Sequence, residues 1–265
     1  MLKLQNVIKP IGVGVTIPHL VELSNGLKYV LKFPGNPEGE KALINEFICY
    51  ELALMLDLPI IESSVIEIDF STVSGLDCVH SSIIQRNGLG FASLYNTRAN
   101  PINTPSIIKL AHNSCELYKI IIFDFLIGNT DRNKGNLLYD SKFKKINIID
   151  HTHVFSIGTL WNTNELTRRL GEPFSIDDAH HYNFENYLQF KNYRIECSSS
   201  IKRFIQKISL IRKDDLERII NKCRNIWIFD ENDVISLCNY LWDRITRLDE
   251  ILNLLNLNKE GVQIT

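Results

Sequence analysis

Residues 129–136 read Asn-Thr-Asp-Arg-Asn-Lys-Gly-Asn, and beyond an apolar stretch the chain continues Ile148-Ile149-Asp150-His151, with Asp150 fourteen positions after Asn136. An acid and an amide five apart on one tight loop, Asp131 and Asn136, followed by an acid that ends a strand, Asp150, supply one base and two hard oxygen ligands. A metal-bound triphosphate needs those groups, because moving a phosphoryl group depends on positioning and charge neutralisation more than on covalent work by the protein. Asp131 is expected to orient an acceptor hydroxyl and take its proton. Asn136 and Asp150 are expected to hold Mg²⁺, a hard cation that prefers oxygen to sulfur or imidazole, and Arg132 to sit behind the loop and fix its shape. Asn, Asp and Gly also form ordinary polar turns. Here, however, the loop follows an apolar helix predicted over 115–127 and precedes strands predicted over 137–139 and 146–149, with Asp150 closing the second.

With these residues the chain resembles the HipA-like kinases, whose catalytic loop runs Asn-x-Asp-Arg-His-x-x-Asn and whose metal-binding Asp lies on the next strand. Asn133 stands where the family has His. The resemblance implies an α+β, bilobal protein-kinase-like fold, with a strand-rich N-lobe over 1–86 and a mostly helical C-lobe over 87–265. It also implies a serine/threonine protein kinase using ATP and Mg²⁺, with Asp131 as base and Asn136 and Asp150 as ligands. Asp150 is followed by His151 and Thr152 in place of the Phe-Gly of ordinary protein kinases, a departure shared with the lipid-kinase branch, so the acceptor class is less fixed than the chemistry. Longer HipA-like toxins carry a further domain ahead of the glycine flap. This sequence starts almost at the flap, so a short form is expected, and an antitoxin or regulator as partner rests on the resemblance alone.

The N-terminal part points the same way. Residues 21–24 and 27–33 flank Asn25-Gly26, a dipeptide suited to a two-residue hairpin with φ > 0 at both positions. Tyr29, Leu31 and Phe33 alternate with Val30 and Lys32, which places Lys32 on the face opposite the apolar row. There it would meet the nucleotide phosphates as the strand lysine of Val30-Leu31-Lys32. Upstream, Gly12 and Gly14 could form a flap whose backbone approaches phosphates. Residues 40–56 have helical spacing, with Leu43, Phe47, Tyr50 and Leu54 on one stripe. Glu46 on that helix is the preferred partner for Lys32, with Glu51 as rival. Strands are expected over 65–70 and 79–86, and a hinge at Arg86-Asn87-Gly88, with Ile84 and Gln85 presenting main-chain groups to adenine.

Composition bounds the remainder. The 265 residues suffice for one large domain or two lobes, and a formal net charge of −2 gives no nucleic-acid footprint. No apolar run marks a membrane span and the first residues lack the order of a secretion signal. Six cysteines without a Cys-x-x-Cys pair favour buried reduced thiols in a cytoplasmic protein over a disulfide frame or a zinc site. His151 and His153 suit shaping of the metal loop better than zinc binding, and His180-His181 has no partner pattern. Residues 234–255 repeat apolar side chains at helical steps behind an Asp230 cap, and the basic stretch over 202–224 carries enough acids to be a solvated helix face. Three functions compete: a HipA-like kinase labelling itself or another protein, a lipid or small-molecule kinase of related fold, and a nucleotide-binding pseudokinase. The last has no need for the base Asp131.

Overall fold

Strands fill the N-terminal part of the chain and helices the C-terminal part; the computed structural model describes residues 1–12, 14–176 and 191–257. The predicted hairpin is β2 (His19–Leu23) and β3 (Lys28–Lys32), with Val21 opposite Tyr29. Its turn differs from the expected two-residue loop. Gly26 takes φ 74° but Asn25 does not enter the left-handed region, and Gly26 N–H donates to Leu23 O at 2.8 Å while Leu23 N–H donates to Leu27 O at 3.1 Å. The loop is therefore three residues long with glycine in the left-handed place.

With β1 (Leu2–Pro10), β4 (Ser63–Ile68) and β5 (Gly88–Leu94), the hairpin forms a closed barrel in the order β1-β2-β3-β5-β4, completed by the parallel pair of β1 and β4. Val21, Tyr29, Leu31, Phe33 and Ile66 fill its interior, as the alternation in β3 requires. Here the structure corrects the sequence reading: residues 79–86 are not a strand. Val79 and Ile83 drop singly onto the barrel core while His80 to Ser82 stay outside, so no two-residue period exists to build a ladder. The fifth strand instead starts at Gly88, the last residue of the expected hinge, and carries the barrel past residue 86. Gly90 belongs there because a Cβ would lie 2.8 Å from Leu31 and Ile68 side-chain atoms and 2.9 Å from Lys32 O.

Helix α1 (Glu40–Met55) follows the lysine strand and buries side chains on almost every side of its first three turns, Asn45 and Glu46 included, because it is wedged between the barrel and the helical part. Phe47 meets Trp227 edge-on and Tyr50 meets Phe91. Leu54, expected on the buried stripe, is exposed. Helix α2 (Glu116–Ile127) is apolar beyond its first turn, where Glu116 pairs with Lys119, except for a buried acid, Asp124, and stops at Gly128 with φ 60°. A second sheet of β6 (Ala99–Pro101), β7 (Leu137–Asp140) and β8 (Lys145–Ile148) contains the predicted hairpin after the 129–136 loop.

Beyond lie α3 (Thr163–Arg168), α4 (Lys191–Ser209), α5 (Lys213–Arg224), α6 (Glu231–Thr246) and α7 (Leu248–Leu254). The single helix expected over 234–255 is thus two, broken at Arg247, whose guanidinium is held by Asp243 and Glu250. The basic stretch of α4 and α5 is largely paired on the surface, for example Lys222 with Glu51 at 2.7 Å and Arg218 with Asp215 at 3.0 Å. Cys115 and Cys197 form a disulfide between the start of α2 and α4, which corrects the expectation of six reduced thiols; Cys49, Cys78, Cys223 and Cys238 are free. The bonded pair is 82 residues apart, so spacing gave no hint of it. Among the described residues no helix is long and apolar enough to cross a membrane. His180-His181 lies outside the described residues.

Candidate active site

A cleft of about 860 Å³ opens between the barrel and the second sheet, and Gly12, Gly14, Val30, Lys32, Glu46, Asp131, Asn136 and Asp150 all line it. Lys32 enters from the end of β3, turned away from the barrel core as the alternation predicts. Its ammonium donates to Glu46 Oε1, to Asp150 Oδ1 at 2.8 Å and to Thr152 Oγ1 at 2.6 Å. Glu46 is therefore the helix partner, and the rival Glu51 points to Lys222. Burial opposes the Lys32 charge, but Asp150 and Glu46 outweigh it and push the ammonium above its ordinary range. Burial likewise opposes ionisation of Asp150, yet the Lys32 ammonium and the Thr152 N–H hold its carboxyl well below the usual range. Burial pushes the Glu46 carboxyl up, against the pull of Lys32.

The loop bearing Asp131 is fixed from behind. Arg132 is buried and all five of its N–H groups have acceptors. Nε and Nη2 grip Asp124 at 2.9 and 3.0 Å, Nη1 reaches Asn136 O at 2.9 Å and Ile149 O at 3.0 Å, and Nη2 also meets His151 Nε2 at 3.0 Å. Because the arginine can only donate, His151 Nε2 accepts and the imidazole carries its proton on Nδ1. Burial and the Arg132 charge keep it neutral, well below its ordinary pKa. Asp124 further accepts from Asn129 Nδ2 at 2.9 Å, and Asn129 Oδ1 accepts from Asp131 N–H at 2.9 Å, so the α2 acid sets the Asp131 backbone through one intermediary.

Asn136 donates its side-chain N–H to Asp131 O at 2.7 Å, which leaves its amide oxygen as the ligand end. Ile149 N–H donates to Asn136 O at 3.2 Å, stapling the loop to the residue before Asp150. Asp150 itself has φ 58°, a left-handed conformation that turns its carboxylate back toward Lys32. Asn136 and Asp150 could therefore hold a divalent cation. Among the described residues no three His, Cys, Asp or Glu side chains converge into a protein-only metal site, so further ligands would have to come from a bound phosphate. His153 lines the cleft and takes Thr130 N–H on its carbonyl at 3.0 Å; His151 is sealed away on Arg132, so the two histidines share no face.

Two expected residues fall elsewhere. Ile84 is 70% exposed and Gln85 is also exposed; neither lines the cleft. Ile84 instead pairs its N–H with Gly35 O at 2.9 Å, and its carbonyl sits where a Cβ on residue 35 would collide. The cleft wall between the two halves is made by Ser93, Leu94, Tyr95 and Asn96 at and after the end of β5, some residues beyond the hinge expected at Arg86-Asn87-Gly88. Gly12 takes φ 69° with open space around it, so backbone conformation and not close packing calls for glycine there. Sequence reasoning missed Asp124, Asn129 and Thr152 as parts of the site. Asp124 left a signal as the acid within the apolar run of α2, and Asn129 as the first residue of the Asn-x-Asp-Arg motif.

A family model described as HipA-like kinase matches residues 4–167. No curated protein is similar to the chain in sequence. Among solved structures, the Helicobacter pylori proinflammatory kinase CtkA superposes with a TM-score of 0.62 at 15% identity, covering 97% of this chain and 98% of that one. The Golgi casein kinase superposes with a TM-score of 0.52 at 12% identity, covering 97% and 73%. At such identities the likeness concerns the fold, which these kinases share with the chain. The family match spans more than half of the sequence and includes the lysine strand, the catalytic loop and Asp150: the chain belongs to the HipA-like kinases.

Proposed function

We propose that the protein is an ATP- and Mg²⁺-dependent kinase that transfers the γ-phosphate to a serine or threonine hydroxyl of a protein, itself included. The barrel with α1 forms the small lobe of a bilobal kinase fold and the rest the large lobe, divided after Leu94 instead of after residue 86. The observation that carries this reading is that Lys32, held by Glu46, faces the same cleft as Asp131, Asn136 and Asp150.

The donor set fits the nucleotide and its metal. Asp150 and the Asn136 amide oxygen are hard ligands that line one cleft, and Mg²⁺ when bound would neutralise phosphate charge. Lys32 binds phosphate oxygens, and Gly12 and Gly14, which line the same cleft, let backbone approach them. Val30, Ile61 and Phe91 supply apolar walls for the base, and the main chain at 93–96 its polar edge. Asp131 receives the proton of the acceptor hydroxyl. Arg132 does not line the cleft; bonded to Asp124 and to the Asn136 and Ile149 carbonyls, it keeps the loop in shape. Family membership supports a protein acceptor over a lipid.

Intact-mass measurement after incubation with Mg·ATP, alone and with cell extract, tests the proposal. The wild type is expected to gain one phosphate or to phosphorylate an extract protein, and Asp150→Ala to do neither. A wild type that does neither, or an equally active Asp150→Ala, sinks it; a heavier adduct indicates adenylyl transfer instead.

A further inference from the structure

An ammonium has three N–H groups and accepts nothing. All three directions of Lys32 end on protein oxygens: Glu46 Oε1, Asp150 Oδ1 and Thr152 Oγ1. No N–H remains for a phosphate oxygen, so one of these partners has to be exchanged when a nucleotide enters.

The three partners are not equally free to leave. Glu46 is buried, and the same oxygen that takes Lys32 also accepts from His151 N–H at 3.1 Å and from the Thr152 hydroxyl at 3.2 Å. Thr152 is buried too, with its carbonyl held by Asn45 Nδ2 at 2.7 Å. The Asp150 side chain is 34% exposed on the cleft, and in the reading above its carboxylate is wanted elsewhere. The exchangeable partner is therefore Asp150.

We propose that Thr152 is a positioning residue for Lys32: together with Glu46 it fixes two of the three ammonium hydrogens, so that the one released by Asp150 points at the nucleotide phosphates. The hydroxyl suits this because it accepts from Lys32 and donates to Glu46 at once, closing a triangle that survives when Asp150 turns away. An apolar residue or glycine at this place would leave the lysine on a single anchor, free to swing. The inference rests on the nucleotide-binding reading of the cleft.

Calorimetric titration with ATP and ADP in the absence of metal tests it, beside the phosphate-transfer rate with Mg²⁺, in wild type, Thr152→Val and Thr152→Ser, each checked for folding by thermal melting. Loss of one charge-assisted hydrogen bond on Lys32 should weaken metal-free binding by about tenfold in Thr152→Val and lower transfer with it. Thr152→Ser, which keeps the hydroxyl, should stay close to wild type. Should the valine variant fail to fold, Thr152→Ala against Thr152→Ser makes the same comparison. Binding by the valine or alanine variant as tight as wild type overturns the inference, as does a serine variant as weak as valine. A wild type that binds no nucleotide overturns the kinase reading itself, a different outcome from a wild type that binds while the variants match it.

Discussion

Lys32 and Arg132 are buried cations on either side of the Asp150-His151-Thr152 segment, and they are held in opposite ways. Lys32 is surrounded by side-chain oxygens, one of them on a carboxylate that faces the cleft, so its partners can be traded for those of a ligand. Arg132 faces no ligand. Its side chain is 2% exposed, its carboxylate partner Asp124 is 0% exposed, and two of its five N–H groups go to main-chain carbonyls that cannot leave. The first centre is built for exchange and the second for permanence. A buried charge is costly unless fully satisfied. Where the protein needs only rigidity it meets that condition completely, and where it needs chemistry it leaves one partner replaceable.

The largest expected effect is at the permanent centre. Asp124→Ala leaves the Arg132 guanidinium buried without its carboxylate and should cost about 3–5 kcal/mol in urea unfolding. A loss below about 1 kcal/mol would mean that Arg132 finds another partner, and the contrast between the centres would collapse. Next, Asp131→Asn on the cleft side should reduce phosphate transfer on the order of a hundredfold or more while unfolding stability stays within about 0.5 kcal/mol. Unchanged transfer would strip Asp131 of its role. A smaller change follows from His151→Leu, which removes one acceptor of Arg132 and should cost about 1–3 kcal/mol; a stable variant would show that the imidazole merely fills space.

The smallest effect lies in the barrel, where His19 pairs with Leu31 across β2 and β3. His19 is fully buried, with Nδ1–H donating to Ile17 O at 2.8 Å and Nε2 accepting from His80 N–H at 2.9 Å. Burial keeps its pKa below the ordinary value. The unfolded chain takes up this proton near pH 6.5 and the folded chain only at lower pH. Stability is therefore full above about pH 6.5 and falls as the pH drops, by at most about 1.4 kcal/mol per pH unit. Unfolding free energies between about pH 7.5 and about pH 5 should fall more steeply for wild type than for His19→Gln. Equal slopes would exclude His19 as the source.

Legibility followed the range of the interactions. The catalytic loop, the β7–β8 hairpin and Asp150 could be placed from sequence because turn residues, short apolar strands and the acid–amide spacing are all local. Lys32 lies on the cleft side, as expected, because strand alternation fixes a side chain's face once its neighbours are apolar. Glu46 needed both a helix and a resemblance, since Glu51 lies on the same helix and differs only in what packs opposite. The strand β5 went unread because its start at Gly88 was taken with Arg86 and Asn87 as a polar, glycine-bearing hinge. At Gly90 the requirement is the closeness of Leu31, Ile68 and the Lys32 carbonyl, which no local pattern records. The Cys115–Cys197 bond was missed for the same reason.

The sequence by itself determined the inventory of chemistry: one strand lysine, one loop acid and one loop amide, and a second acid at a strand end, each in the local conformation its neighbours impose. Tertiary structure alone decided which of these groups meet, that β5 and not residues 79–86 closes the barrel and walls the cleft, and that Asp124, Asn129 and Thr152 belong to the site. Propensity and periodicity act within a few residues along the chain. The electrostatic and packing energies that choose partners for a buried charge act through space.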